Sequence, residues 1–314
     1  MALCKFPFYL AKAGGIVPCG QCFTCRLNKA RFWTFRLMME AKLHERTFWT
    51  TITYNDEFLP TDAYDIRTGR VTGSHPRGTL FPAHIELFIK RVRKAIAPNK
   101  IRYFLVGEYG ETLQRPHYHV LFFVAGEEIL RTLELCRTDP KSKRVMGFID
   151  REYCGSVTSQ NARYTVGYTL KKLTKIGDHR LEGRHPEFSS HSLGIGLGFA
   201  KRYAASINNP SGLAHILATG DIPRAVRFEG RMWPRDRYMR DKILEELGIT
   251  EVLKMKGQER YATEMRKLQI HHEITTGISS SKECALASAY QDLNAQKILN
   301  TEKRAKLRME RKPL

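Results

Sequence analysis

Two histidines one residue apart, His117 and His119, open the apolar run HYHVLFFV (117–124). In a strand, alternate side chains share a face, so both imidazoles project the same way. Glu108 closes the preceding run IRYFLVGE (101–108), and an antiparallel hairpin between the two runs brings its carboxylate towards His117. Glu111, in the connecting turn, is an alternative third donor. Two imidazoles and one carboxylate leave open positions on a divalent ion for phosphate oxygens and water, as polarising a scissile phosphate requires. The plainer alternative is two polar residues at a strand end.

A second chemical feature is ARYTVGYTLKKLTK (162–175). Read as a helix, it places Tyr168 about 40° from Tyr164, with Lys171, Lys172 and Lys175 within about 80° of that direction. Ala162, Val166, Leu170 and Leu173 fall on the far side. Tyrosines packed for burial would share the apolar stripe, and these do not. A phenol with its ordinary pKa of about 10 is a poor nucleophile at neutral pH, and nearby positive charge eases formation of the phenolate. Lysine also neutralises charge growing on a phosphate. The alternative is a solvated basic face whose tyrosines stack on bases.

Cysteines are the third feature. Of seven, four lie within the first 25 residues, and Cys19, Cys22 and Cys25 form a C-x2-C-x2-C run. Cys4 folding back would complete a tetrahedral Zn²⁺ site, while iron and sulfur or an unligated reduced cluster are the alternatives. Cys136, Cys154 and Cys284 are isolated and read as packed side chains.

Elements must position these groups. Ala30, Trp33, Leu37, Met38 and Ala41 recur at helical steps and predict a helix from Asn28 to about Glu45, with Arg31, Arg36 and Lys42 on its wet face. TFWTTITY (47–54) reads as a strand, 56–78 as a long surface loop, and Pro82 opens a helix striped by Ile85, Phe88, Val92 and Ile96. The tyrosine helix runs from about Ser159 to Lys175, and SLGIGLGF (192–199) reads as a flexible loop. The remaining third reads as helical. Its last segment, 297–314, holds seven Lys or Arg against two Glu and predicts a helix fraying into a basic tail. His271, His272 and Glu273 read as a solvated helix end.

With 314 residues and 42% apolar content the chain can bury a real core. Lys and Arg number 52 against 32 Asp and Glu, a net charge of +20, which points to nucleic acid before an anionic membrane. MALCKFPFYL is broken by Lys5 and Pro7, and no window reaches the roughly 20 apolar residues of a spanning helix. A soluble, intracellular protein with no membrane partner is expected. No GKS or GKT phosphate loop is present, so helicase activity would come from a partner.

TTITYND, GEYGETLQRPHYHVLFF and ARYTVGYTLKK, in that order, resemble the motifs of the HUH endonuclease superfamily of rolling-circle replication initiators, most closely those of gokushovirus-type Microviridae phages. PCGQCFTCR with Trp33 and Glu40 resembles the N-terminal signature of the phage proteins. The resemblance covers much of residues 1–200. It implies an α+β fold with an HUH-type antiparallel sheet flanked by helices, and a nickase and strand transferase acting on single-stranded DNA at a replication origin. His117, His119 and Glu108 would bind Mg²⁺ or Mn²⁺, Tyr164 and Tyr168 would be nucleophiles, and Lys171 or Lys172 the basic partner. Many relatives carry a lysine between the tyrosines, whereas Gly167 precedes Tyr168 here. The host's helicase and polymerase, in a bacterial cytoplasm, would complete replication.

The expected organisation is a cysteine module at 1–27, a nickase domain at 28–205 and a basic, mainly helical region at 206–314. Two other readings are a non-catalytic, zinc-containing nucleic-acid-binding protein and a metal phosphodiesterase that uses water.

Overall fold

The computed structural model describes residues 3–13, 15–64, 70–124, 129–139, 141–149, 156–171, 178–278 and 283–310. In chain order its elements begin with β1 (Phe8–Leu10), β2 (Gly15–Val17), α1 (Phe23–Ala41) and β3 (Arg46–Thr53). There follow β4 (Asp62–Tyr64), β5 (Val71–Ser74), α2 (Pro82–Ala95), β6 (Ile101–Tyr109), β7 (Pro116–Val124) and α3 (Ile129–Leu135). Then come α4 (Ser159–Lys171), β8 (Phe188–His191), α5 (Leu197–Ile207) and α6 (Pro210–Thr219). The last are β9 (Ala225–Phe228), β10 (Arg231–Pro234), α7 (Arg237–Leu247), α8 (Thr250–Thr276) and α9 (Glu283–Glu310).

The chain divides into two compact units, one of residues 33–199 and the other of 1–32 with 200–314. The three segments expected from the sequence are therefore distributed over two units, with the cysteine-rich N-terminus in the same unit as the C-terminal helices.

In the 33–199 unit, four antiparallel strands are ordered β3-β7-β6-β8. Alternation gives this sheet two different faces. Tyr118, Val120, Phe122 and Val124 of β7 join Ile101, Leu105 and Tyr109 of β6 in a core closed by Ile85, Phe88, Ile89 and Val92 of α2 and by Ile129 and Leu133 of α3. Burying a side chain such as Phe88 or Val92 stabilises by about 1.5–3 kcal/mol. Pro82 starts α2, where its missing N–H costs no helical hydrogen bond. Gly107 is needed in β6, since a Cβ there would sit 2.9 Å from the Phe188 ring. The opposite face carries Glu108, His117 and His119, with α4 packed on β6 and β7.

Several local expectations change. The 56–78 segment contains the small β4/β5 hairpin. α1 begins at Phe23 and ends at Ala41, and residues 34–40 are buried without interruption. Arg36, assigned to the wet face, is one of them. Its guanidinium lies 4.2 Å from the Trp33 ring and donates to the Ile195 carbonyl at 2.9 and 3.1 Å, because the 194–196 turn covers that side of the helix. The same contact corrects the reading of 192–199 as a flexible loop: Ile195 is fully buried and the Gly196 amide donates to Glu40 at 2.7 Å.

The other unit is built on the long helices α8 and α9. Met265, Leu268, Leu286, Ala289 and Tyr290 enclose Ile16 of β2, and the Tyr261 hydroxyl donates to the Ile16 carbonyl at 2.8 Å. Gly15 permits that approach, since a Cβ there would lie 2.6 Å from the same hydroxyl. The β9/β10 hairpin interrupts what read as a helical stretch. His271, His272 and Glu273 lie near the end of α8. Among the described residues no helix is long and apolar enough to cross a membrane.

Candidate active site

The β6/β7 register sets Glu108 directly opposite His117 and Val106 opposite His119. On the other side of β7, Thr53 pairs with His117 and Thr51 with His119. Glu108 and both histidines therefore share one face, and their polar atoms converge. His117 Nε2 lies 2.9 Å and His119 Nε2 lies 3.1 Å from the same oxygen, Glu108 Oε1. Glu111 is exposed on the turn and stands outside this group.

The outer ring nitrogens are held in place. His119 Nδ1 is 2.9 Å from the Thr51 hydroxyl, and His117 Nδ1 is 3.3 Å from the Arg115 carbonyl. A carbonyl only accepts, so Nδ1–H of His117 is the donor there. In a neutral ring, Nε2 then presents its lone pair to the Glu108 carboxylate. Lone pair against carboxylate is repulsive unless positive charge lies between them, so the donor set fits a proton or a metal cation at the point of convergence. Burial opposes ionisation of Glu108, but hydrogen bonds from His117 and His119 outweigh it and hold the carboxyl below its ordinary value. Burial likewise pushes the His119 imidazole down, against the pull of Glu108. The neutral imidazole is the form that ligates metal.

α4 brings Tyr164 to this face. Its ring centroid is 5.6 Å from that of His119 and 5.8 Å from that of Trp49, edge-on to both, and the residue is 48% exposed. Ala162, Thr165 and Val166 are fully buried on the opposite side of the helix. Helix periodicity thus separates a packed back from an accessible phenol. Tyr168 stands one turn further along the backbone. Its side chain and that of Lys171 lie outside the described residues, as do Lys172 and Cys154.

Two positioning residues escaped the sequence reading. The Trp49 indole N–H donates to the Thr165 hydroxyl at 2.9 Å, and its ring stacks on His119 at 6.3 Å, 12° from parallel. Thr51 fixes the His119 ring. The signal was present in period two, because 49, 51 and 53 of TFWTTITY alternate onto the histidine face.

Glu40 is wholly buried, with Arg102 at 2.7 Å, His44 at 3.0 Å and the Gly196 amide at 2.7 Å. Burial opposes its charge, yet His44, Gly196 and Arg102 together keep its carboxyl below the ordinary range. In the other unit, Cys4 joins Cys19, Cys22 and Cys25, all four sulfurs lying within 4.8 Å of one another.

Residues 47–176 match a family model of replication-associated proteins, that of the replication-associated protein ORF2. The strand, histidine and tyrosine motifs all fall inside that segment, whereas PCGQCFTCR and the C-terminal third lie outside it. The chain is 33% identical over 192 residues to the replication-associated protein ORF2 of Spiroplasma virus 4, covering 58% of this chain and 56% of that protein. It is 29% identical over 192 residues to the replication-associated protein VP4 of Bdellovibrio phage phiMH2K, covering 56% of each. With the replication-associated protein ORF4 of Chlamydia phage 1 it shares 27% identity over 205 residues, covering 60% of this chain and 46% of that one. These matches span about half the length of each relative, and no solved structure matches the chain. The family resemblance read from the motifs is thus to replication-associated proteins of small bacterial phages.

Proposed function

We propose that this protein nicks and rejoins single-stranded DNA at a replication origin through a tyrosyl ester, initiating rolling-circle replication of a small phage genome in the bacterial cytoplasm. One observation carries the reading: an exposed phenol, Tyr164, stands 5.6 Å ring to ring from His119, itself part of the Glu108, His117 and His119 convergence. An HUH-type arrangement has these parts in this relation.

In this reading Glu108, His117 and His119 hold Mg²⁺ or Mn²⁺, which when bound supplies positive charge at the scissile phosphate. Tyr164 gives up its proton and its oxygen attacks the phosphorus. The bond from phosphorus to the 3′ oxygen breaks, that oxygen takes a proton, and the resulting 3′ hydroxyl primes synthesis. The 5′ phosphate stays esterified to the phenol, so the bond energy is kept and rejoining needs no ATP. Tyr168, one helical turn away, provides a second nucleophile while the first still holds an end. Lys171 or Lys172 offsets charge building on the phosphate oxygens. Trp49 and Thr51 only position the helix and the imidazole. A host helicase and polymerase supply unwinding and synthesis.

Incubation with an origin oligonucleotide and Mn²⁺ tests this: a covalent adduct should appear on a denaturing gel and disappear in His117→Ala/His119→Ala. DNA binding that is salt-dependent but indifferent to this double change, with no adduct, would instead indicate a non-catalytic nucleic-acid-binding protein. Cleavage without any protein–DNA ester would indicate a water-using phosphodiesterase.

A further inference from the structure

The cysteine cluster takes no part in the nicking reading. Its geometry discriminates among the ways four cysteines can be used. A disulfide requires a sulfur separation of about 2.05 Å. A single zinc ion with bonds of about 2.3 Å sets its four sulfurs on a tetrahedron with edges of about 3.8 Å. Cys4 Sγ and Cys22 Sγ are 3.9 Å apart, and all four sulfurs fall within 4.8 Å of one another. A cluster of several irons spreads its cysteines more widely than one ion does, so the separation favours a mononuclear centre.

Local hydrogen bonding points the same way. The Cys19 amide donates to Cys4 Sγ at 3.2 Å, and the amides of Gln21 and Cys22 donate to Cys19 Sγ at 3.4 and 3.3 Å. Cys22 Sγ receives the Lys5 amide at 3.4 Å and lies 3.2 Å from the Thr24 hydroxyl. Several N–H groups aimed at sulfur favour thiolates over thiols, and such donors support the charge of a thiolate-bound metal. Gly20, at φ +72°, makes the turn between Cys19 and Cys22 that exposes those amides. Cys4, Cys22 and Cys25 are buried, and the small apolar cluster they form includes no larger side chain. Packing alone therefore does little to hold this segment.

We propose that Cys4, Cys19, Cys22 and Cys25 bind one Zn²⁺ as thiolates, and that the ion clasps the N-terminal segment onto α9. Lys5, whose amide caps Cys22, presents its carbonyl to Gln291 at 2.8 Å, and its ammonium faces Glu302 at 3.9 Å. β1 and β2 pack on the same helix. The cysteine loop is thus covalently continuous with a segment that docks α9, and fixing the loop fixes the dock. The inference is independent of the nicking reading, since the two are assayed separately.

The test uses the full-length protein. Elemental analysis after purification should find one zinc per chain, and exchange for Co²⁺ should give the intense visible bands of tetrahedral cobalt thiolate. Cys4→Ser/Cys22→Ser should lower zinc at least tenfold, whereas His117→Ala/His119→Ala should keep it. Metal removal should speed amide exchange at least tenfold in 5–17 and 286–302. If the cysteine variant does not fold, the zinc content and cobalt spectrum of the unaltered chain decide the matter. Absence of zinc and of cobalt thiolate bands, iron in place of zinc, or zinc lost with the histidines and kept without the cysteines would overturn the site. Unchanged exchange on metal removal would overturn the clasp.

Discussion

The indole of Trp49 donates its N–H to the hydroxyl of Thr165 at 2.9 Å, so the strand beside the histidines grips the helix carrying Tyr164 by its buried side. The nucleophile candidate is exposed, yet the residue after it is locked. Reach and precision are divided between neighbours.

Trp49→Phe keeps an aromatic ring but deprives the buried Thr165 hydroxyl of this donor. Stability should fall by about 1 kcal/mol in denaturant titrations. Adduct formation should slow several-fold while the Mn²⁺ concentration for half-maximal rate stays constant, since no ligand is touched. A shift of that midpoint with no change in maximal rate would assign Trp49 to metal binding instead.

Thr51→Val removes the oxygen that meets His119 Nδ1 and keeps the shape of the side chain. Loss of such an orienting partner typically weakens metal binding 10–100-fold. A Mn²⁺ titration of adduct formation should move to higher concentration by that factor, with saturation restoring most of the rate. An unmoved titration would mean the hydroxyl does not hold the imidazole.

Glu40 gives a pH signature far from the chemistry. Its carboxyl is held below the ordinary range in the folded protein, against about 4.3 unfolded, so its charged form stabilises the fold above that value and the contribution is lost as pH falls through the depressed one. Glu40→Gln leaves Arg102 without its buried partner and should cost about 3 kcal/mol or more at neutral pH. The gap between the two proteins should narrow as acid protonates the wild-type carboxyl. A gap constant down to the acid transition would show that charge is not what Glu40 contributes.

The histidine site was legible because it depends on two short-range rules. Period two puts His117 and His119 on one face, and the tight hairpin returns Glu108 to them. The tyrosine helix was readable through its apolar back, and Ala162 and Val166 are indeed fully buried. What failed depends on contacts across long sequence separations. Arg36 was placed in water because a helix read alone has one apolar stripe, but the 194–196 turn, about 160 residues on, covers its other side. Glu40 and Arg102 form a buried pair that no local pattern marks. The β4/β5 and β9/β10 hairpins have strands of three or four residues, too short for alternation to stand out. Trp49 and Thr51 were read only as strand formers, since their role arises from what faces β3.

Identifying the residue that becomes joined to DNA tests the central claim most directly. The chain is incubated with Mn²⁺ and an origin oligonucleotide, and the adduct is digested and mapped by mass spectrometry. The nucleotide should sit on Tyr164 or Tyr168, and Tyr164→Phe/Tyr168→Phe should abolish the adduct while DNA binding persists. An adduct undiminished in the double variant, or attached to any other side chain, would contradict the account.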